Sequence, residues 1–275
     1  MPKPGFGSPF RWVTSNIPQM QTIQVNEVAL EVQRLSAAAD REFAPIVFLH
    51  EGLGSVAMWR DWPRQVCDAT GRTGVVYSRR GYGQSAPVED VRGSGRLKPN
   101  YMHREAFEVL PARLEVLGID RPVLLGHSDG GSIALLHASR HPVTACVVMA
   151  PHVIVEDISV RSIEAAREAY PTVIRERLKR YHADVDSAFW QWNDIWLDPA
   201  FRSFDIREDC RRIGAPVLAI QGQDDAYGTM RQIDDIAPTR GTFVMKKLVA
   251  CGHSPHKDQP ELTRELVMEF LRPLP

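Results

Sequence analysis

Ser128 stands in Gly126-His127-Ser128-Asp129-Gly130, a G-x-S-x-G pattern. An apolar run, PVLLGH (122–127), precedes it, and a helix-patterned stretch, Gly130 to Arg140, follows it. A strand–turn–helix of this kind is so tight that small residues flank the turn, and it lifts the serine hydroxyl above the sheet edge. The following helix aims its N-terminus at the hydroxyl, which favours developing negative charge. The five letters alone arise by chance quite often. The strand before them and the helix after them make Ser128 a candidate nucleophile.

A serine hydroxyl is a poor nucleophile until a base takes its proton. CGHSPH (251–256) directly follows the apolar run TFVMKKLV (242–249), which makes His253 the candidate base. His256 completes an H-x-x-H spacing, but without a further ligand that pair does not make a metal site. His50, His127 and His152 fall near other strand ends and are expected to line the site. The base needs a carboxylate to fix its tautomer and stabilise its charged form. QGQDDAYG (221–228) offers two, Asp224 and Asp225, and the residues themselves do not choose between them.

Attack on a carbonyl carbon generates an oxyanion, which needs two backbone N–H donors. One is expected from Asp129, the residue after the nucleophile. The other is expected from His50-Glu51-Gly52-Leu53-Gly54-Ser55, after the PIVFLH run (45–50). That loop also fits a different chemistry. GLGSVA (52–57) reads as G-x-G-x-x-A after a strand, and the next strand ends at Arg79-Arg80, as if to meet a dinucleotide 2′-phosphate. Under that reading the serine, aspartate and histidine positions, all at strand ends, become coincidence.

The side chain of Asp129 poses a conflict. Two charges ~5 Å apart at an effective dielectric of ~20 interact by roughly 3 kcal/mol, so an ionised, unpaired carboxylate would penalise the oxyanion beside it. Three arrangements avoid this. The carboxylate turns away to a tryptophan N–H or an arginine, it is protonated, or a cationic group on the substrate pairs with it.

The elements that must position these groups follow from the patterning. Thr22 to Leu35 alternates apolar and polar residues on both sides of Asn26-Glu27, which predicts a hairpin. PIVFLH (45–50), GVVYS (74–78), PVLLGH (122–127) and PVLAIQG (216–222) are short and almost wholly apolar, and TACVVMA (144–150) and TFVMKKLV (242–249) are similar. Such runs suit strands buried on both faces of a parallel sheet. Helical patterns at Val56–Thr70, Met102–Leu117, Gly130–Arg140 and Leu262–Leu271 alternate with them, which predicts an α/β fold with a mainly parallel central sheet. From about Asp157 to Arg212 no strand run appears, and residues 158–204 are expected to form a helical lid inserted in a core of residues 1–157 and 205–275. Trp190, Trp192 and Trp196 do not share one helix face, so not all three can line one pocket.

The bulk composition narrows the partners. The 275 residues carry 33 basic and 34 acidic side chains, a net charge of −1 that gives no reason to expect nucleic acid or an anionic membrane. No apolar run approaches the ~18 residues of a spanning helix, and MPKPGFGSPF lacks the apolar core of a signal peptide. Cys67, Cys146, Cys210 and Cys251 lie far apart and form no CxxC pair, as expected of buried reduced thiols in a cytoplasmic protein.

Taken together, these motifs resemble the α/β-hydrolase superfamily over nearly the whole chain, from about Ile46 to Phe270. HEGLGS is similar to its H-G-x-x-G-S oxyanion loop, SRRGYGQS (78–85) to its D-x-R-G-x-G-x-S turn, GHSDGG to its nucleophile elbow, GQDD to its acid turn and CGHSPH to its histidine loop. The resemblance implies an inserted lid, a Ser128–His253–Asp225 triad, with Asp225 favoured by its place three residues after the glycine, and oxyanion donors at the Gly52 and Asp129 amides. Glu51 stands where the family usually has glycine, and Ser78 replaces the aspartate of the arginine turn. Within the superfamily the chain looks most like biphenyl hydrolase-like, valacyclovirase-type esterases. Those hydrolyse amino-acid esters, and their aspartate after the nucleophile is associated with the substrate's amino group.

The expectation is therefore a lidded serine hydrolase cleaving a small-to-medium carboxylic ester through an acyl-enzyme, with no cofactor or metal. Candidate substrate contacts are Asp129, Glu51, His152, Trp190 and Trp196. A small-molecule ester is the expected partner, with no nucleic acid or membrane, for a monomer or homodimer. Two alternatives remain: a carbon–carbon bond hydrolase of aromatic ring-cleavage products, whose acidic substrates want an arginine in the pocket, and a non-catalytic ligand receptor on the same fold.

Overall fold

Eight strands form one sheet in the order β1-β2-β4-β3-β5-β6-β7-β8. They are β1 (Gln19–Val25), β2 (Val28–Leu35), β3 (Ile46–Leu49), β4 (Gly74–Tyr77), β5 (Val123–His127), β6 (Ala145–Met149), β7 (Val217–Gly222) and β8 (Phe243–Leu248). This is a computed structural model, and it describes residues 19–36 and 43–275; the N-terminal stretch MPKPGFGSPF lies outside them. β1 and β2 form the antiparallel hairpin, turned by Asn26 and Glu27 with φ of 48° and 65°. Positive φ at both central residues is what a type I′ hairpin turn requires. β2 pairs antiparallel with β4, and every later pairing is parallel.

The predicted sheet of buried strands holds with one correction at its edge. β3 to β7 are buried throughout, but β8 is half open, with Met245 at 40% exposure. It is an edge strand, and its Lys246 and Lys247 keep that edge solvated. Two apolar layers cover the sheet. One includes Leu110, Leu135, Val148 and Phe201, the other Phe48, Trp59, Val147 and Val267. The four cysteines are free and buried. Among the described residues no helix is long and apolar enough to cross a membrane.

The Met102–Leu117 pattern is a helical run with a π turn at Glu105–Val109 before the Leu110–Leu117 helix. Pro111 lacks the N–H that a continuous ladder needs there. Between β6 and β7 the chain leaves the sheet as helices, chiefly Asp157–Ala169, Arg175–Leu178 and Val185–Trp196. Both ends of this excursion are tied together by an Ile154–Asp205 bridge and by the Ile206 N–H donating to the Val153 carbonyl at 2.9 Å.

Candidate active site

Ser128 caps β5 with φ 52° and ψ −120°, a conformation few non-glycine residues adopt. The turn is possible because its neighbours are glycines. A Cβ on Gly126 would collide with the Gly130 backbone, and one on Gly130 with the Leu49 carbonyl. The Asp129–Ala138 helix, buried along its whole length, starts at the serine. The Ser128 hydroxyl makes no hydrogen bond with another described residue, and it lines a cavity of about 210 Å³ shared with His253.

His253 is held from behind. Its Nδ1 lies 2.9 Å from both carboxylate oxygens of Asp225. Asp225 also accepts from the Tyr227 N–H at 2.7 Å and from Gln221 Nε2 at 2.7 Å. Burial pushes the Asp225 carboxyl up, but the His253 hydrogen bond and charge and the Tyr227 N–H bring it net below the ordinary carboxylate value. The neighbouring Asp224 is exposed, and the carboxylate bonded to the histidine is that of Asp225. The acid turn is itself braced by the first excursion helix: Ser159 Oγ donates to the Tyr227 carbonyl, and Ser162 Oγ donates to that of Ala226 at 2.6 Å.

The loop after β3 brings Gly52 to the same cavity. The Glu51 carbonyl accepts from Arg79 Nη2 at 3.0 Å, from the Gly54 N–H at 3.0 Å and from His50 Nδ1 at 2.6 Å. The peptide is trans, so fixing that carbonyl on the arginine side turns the Gly52 N–H the other way. The Asp129 N–H is the first of its helix and has no intrahelical acceptor. Arg79 N–H also donates to His50 Nε2 at 3.0 Å, which leaves the His50 proton on Nδ1. His50 therefore braces the loop from behind and is absent from the cavity wall, contrary to expectation, whereas His127 and His152 do line it. Burial and the nearby His253 press His152 down to about 3. The arginines of the dinucleotide pattern diverge: Arg79 is buried against Glu51, while Arg80 is exposed and bonds the Pro87 carbonyl.

The Asp129 carboxylate, 1% exposed, does not line the cavity. It accepts from Tyr101 Oη at 2.7 Å and Trp196 Nε1 at 3.3 Å, with Arg79 Nη2 at 3.8 Å. Its expected place as a substrate contact is thereby corrected, because protein donors already occupy both oxygens. Burial pushes its carboxyl up, against the pull of Arg79 and the two hydrogen bonds.

Glu51 does line the cavity. Its carboxylate lies 3.1 Å from Lys257 Nζ and 3.4 Å from His127 Nδ1. Burial opposes the charge, but Lys257 and His127 overcome it and hold the carboxyl well below the usual range. His127 Nε2 donates to the His253 carbonyl at 2.7 Å, so His253 is gripped at its backbone as well as its ring. Ser78, in the place of the family aspartate, donates to Glu31 Oε2 at 2.7 Å and accepts from the Val56 N–H at 2.9 Å.

The tryptophans need a second correction. Trp192 and Trp196 line the cavity and Trp190 does not. At 100° per residue Trp192 and Trp196 are about 40° apart, whereas Trp190 is about 200° from Trp192. Trp190 instead packs on Tyr170 and Phe189 under the Arg92 guanidinium, 4.0 Å from the ring. An i, i+4 test of the tryptophan spacing finds Trp192; no comparable signal singles out Tyr101, Ile163 or Tyr227.

The alpha/beta hydrolase family model matches residues 46–266. A proline iminopeptidase of Lactobacillus delbrueckii subsp. lactis is 33% identical over 100 residues, 36% of this chain. The chain thus spans about a third (32%) of that protein's length. The enol-lactonase of Burkholderia xenovorans LB400 superimposes with a TM-score of 0.70 at 18% identity, covering 91% of this chain and 99% of that one. The meta-cleavage product hydrolase of Pseudomonas fluorescens IP01 does so with a TM-score of 0.70 at 15% identity, covering 92% and 97%. At these identities the structural likeness shows the fold alone.

Proposed function

This chain belongs to the alpha/beta hydrolase family, and we propose that it is a serine hydrolase cleaving small carboxylic esters through an acyl-enzyme. The observation that carries this reading is the shared cavity of Ser128 and His253, with His253 Nδ1 held at 2.9 Å by Asp225. With Asp225 accepting at Nδ1, the lone pair of the neutral ring sits on Nε2, the atom that takes the Ser128 proton as Oγ attacks the ester carbon. The Gly52 and Asp129 amides receive the oxyanion. The tetrahedral intermediate collapses, and His253 protonates the departing alkoxide. His253 then deprotonates a water that attacks the acyl carbon, and the serine regains its proton as the acid leaves.

The cavity supports a small substrate. Its roughly 210 Å³ lies below the ~300 Å³ at which ordinary ligand sites begin. Leu53, Ile163, Trp192, Trp196 and Tyr227 give it apolar walls, three of them from the 158–204 segment acting as a lid. A carbon–carbon bond hydrolase of ring-cleavage products is less well supported, since among the described residues no arginine lines the cavity and Glu51 would repel a carboxylate there. A receptor role predicts binding without turnover.

The test is a fluorophosphonate label followed by a panel of neutral esters, amino-acid esters, an N-terminal prolyl amide and a ring-cleavage product. Ser128→Ala should abolish both labelling and turnover. Turnover of the ring-cleavage product alone, or activity that survives Ser128→Ala, would overturn the reading.

A further inference from the structure

Beyond the serine cavity, across the Glu51–Lys257 ion pair, lies a second cleft of about 280 Å³. Its lining residues are Met58, Arg60, Arg177, Arg180, Tyr181 and Lys257. Arg177 and Arg180 come from the excursion between β6 and β7, Arg60 from the loop before the Trp62–Thr70 helix, and Lys257 from the segment after His253. Three separate parts of the chain thus deliver cations to one place.

Several arginines on the same lid segment and the loop it covers find carboxylates: Arg92 pairs with Asp194 at 2.7 Å, Arg175 with Asp186 at 2.8 Å and Arg96 with Asp198 at 3.0 Å. Arg60, Arg177 and Arg180 have no carboxylate within 4 Å among the described residues. Only Lys257 is partly neutralised, by Glu51. Asp61 lines an adjoining cavity that shares Met58, Arg60 and Lys257 with this cleft but does not line the cleft itself, and Glu176 is paired with Lys179. In a chain of net charge −1, such a concentration of unpaired cations is a local feature rather than a consequence of composition.

The backbone supplies an independent observation. Arg60 has φ 53° and ψ −137°, close to the values of Ser128 at the elbow and in a region that favours glycine. A long side chain is held there at a conformational cost that glycine would avoid. Such strain recurs at functional sites, though here Ala150, Ala237 and Ala250 carry it too, and Arg60 lines the cationic cleft.

We propose that this cleft binds a compact, multiply charged oxyanion, the phosphate monoester or diphosphate group of a small soluble ligand. Guanidinium forks match phosphate oxygens bidentately, and several of them favour a group carrying more than one negative charge. The cleft is a bounded pocket, not the extended basic stripe that nucleic acid requires. An anion seated there shares Lys257 with Glu51 and so is linked electrostatically to the wall of the serine cavity.

The inference does not rest on the proposed ester chemistry, and its test reads binding alone. Calorimetric titration of the full chain at low ionic strength would use inorganic pyrophosphate, with acetate as the monoanion. Pyrophosphate should bind at one site, at least tenfold more tightly than acetate, and equally well in Ser128→Ala. Arg177→Ala with Arg180→Ala should weaken it at least tenfold; both residues are exposed, so the fold should be unaffected. Arg60→Gly should weaken binding while raising the melting temperature, since it removes a contact and relieves the backbone together. Absence of binding, binding unchanged in either variant, equal binding of acetate, or retention on phosphatidic-acid vesicles without binding of pyrophosphate would each overturn the proposal.

Discussion

Arg79 holds Glu51 by its carbonyl at 3.0 Å, 28 residues away in the chain, and by doing so sets the direction of the Gly52 amide. An arginine that does not line the cavity thus orients the amide of Gly52, which does, through a single peptide plane.

Replacing that arginine should therefore act on the chemical step. Arg79→Met, compared in an Asp129→Asn background so that no carboxylate loses its cation, should lower kcat about 10²-fold, the size of one lost oxyanion donor, with KM little changed. Steady-state kinetics on a neutral ester would read this. A rise in KM with kcat intact would show that Arg79 shapes ground-state binding instead.

Gly52 tolerates no side chain. A Cβ there would run into the Trp192 indole. Gly52→Ala should cost at least ~10² in kcat/KM if it displaces one oxyanion donor. Adding Trp192→Leu to make room should return part of that loss. Failure of the second substitution to restore anything would place the defect in the loop's own conformation.

Asp129→Asn tests both the substrate question and the pH dependence. Because Tyr101 and Trp196 already hold the carboxylate, neutral and amino-acid esters should lose activity alike; a loss confined to amino-acid esters would revive pairing with the substrate. The sign for stability follows from the raised carboxyl. A group whose folded value lies above its unfolded one contributes stability present below the unfolded value and lost as pH rises through the folded one. Relative to wild type, Asp129→Asn should therefore gain stability between pH 4 and 7, as denaturation midpoints at the two values would show.

Asp225→Asn should lower kcat by roughly 10³- to 10⁴-fold by allowing the wrong imidazole tautomer, while Asp224→Asn should stay within about twofold. Wild-type stability should fall with acid for the opposite reason to Asp129: Asp225 sits below its ordinary value, so its contribution is lost as pH drops through the folded value. A large kinetic defect in Asp224→Asn would reverse the assignment.

Trp192→Ala should broaden the acyl groups accepted, and Trp190→Ala should leave selectivity unchanged while lowering thermal stability. An ester series of increasing acyl length measures the first, and thermal melting the second. Selectivity that responds to Trp190 would mean that the excursion helices rearrange around the substrate.

The candidate site was legible where chemistry depends on local backbone. A tight turn needs glycines beside Ser128, and a buried parallel strand is a short apolar run, so the loops after β3, β5, β7 and β8 announce themselves in order. The choice between Asp224 and Asp225 came from the likeness to a family rather than from the two residues, whose contexts are nearly the same. The edge position of β8 was present in its paired lysines but was masked by its apolar ends. The tryptophan spacing alone does not separate Trp190 from Trp192, because the direction each faces depends on where the helix seats on the sheet.

What the sequence determined by itself was the α/β architecture and the order of the candidate serine, carboxylate and histidine turns, both written in short-range patterns of burial and turn. Only the tertiary structure decided what holds the Asp129 charge. Its partners Tyr101 and Trp196 lie 28 and 67 residues away and carry no mark of that role, since a buried carboxylate must be hydrogen-bonded but the chain does not say by which donors. The same holds for the cationic cleft, which Arg60, Arg177, Arg180 and Lys257 form only because folding places a loop, an excursion helix and the histidine segment side by side.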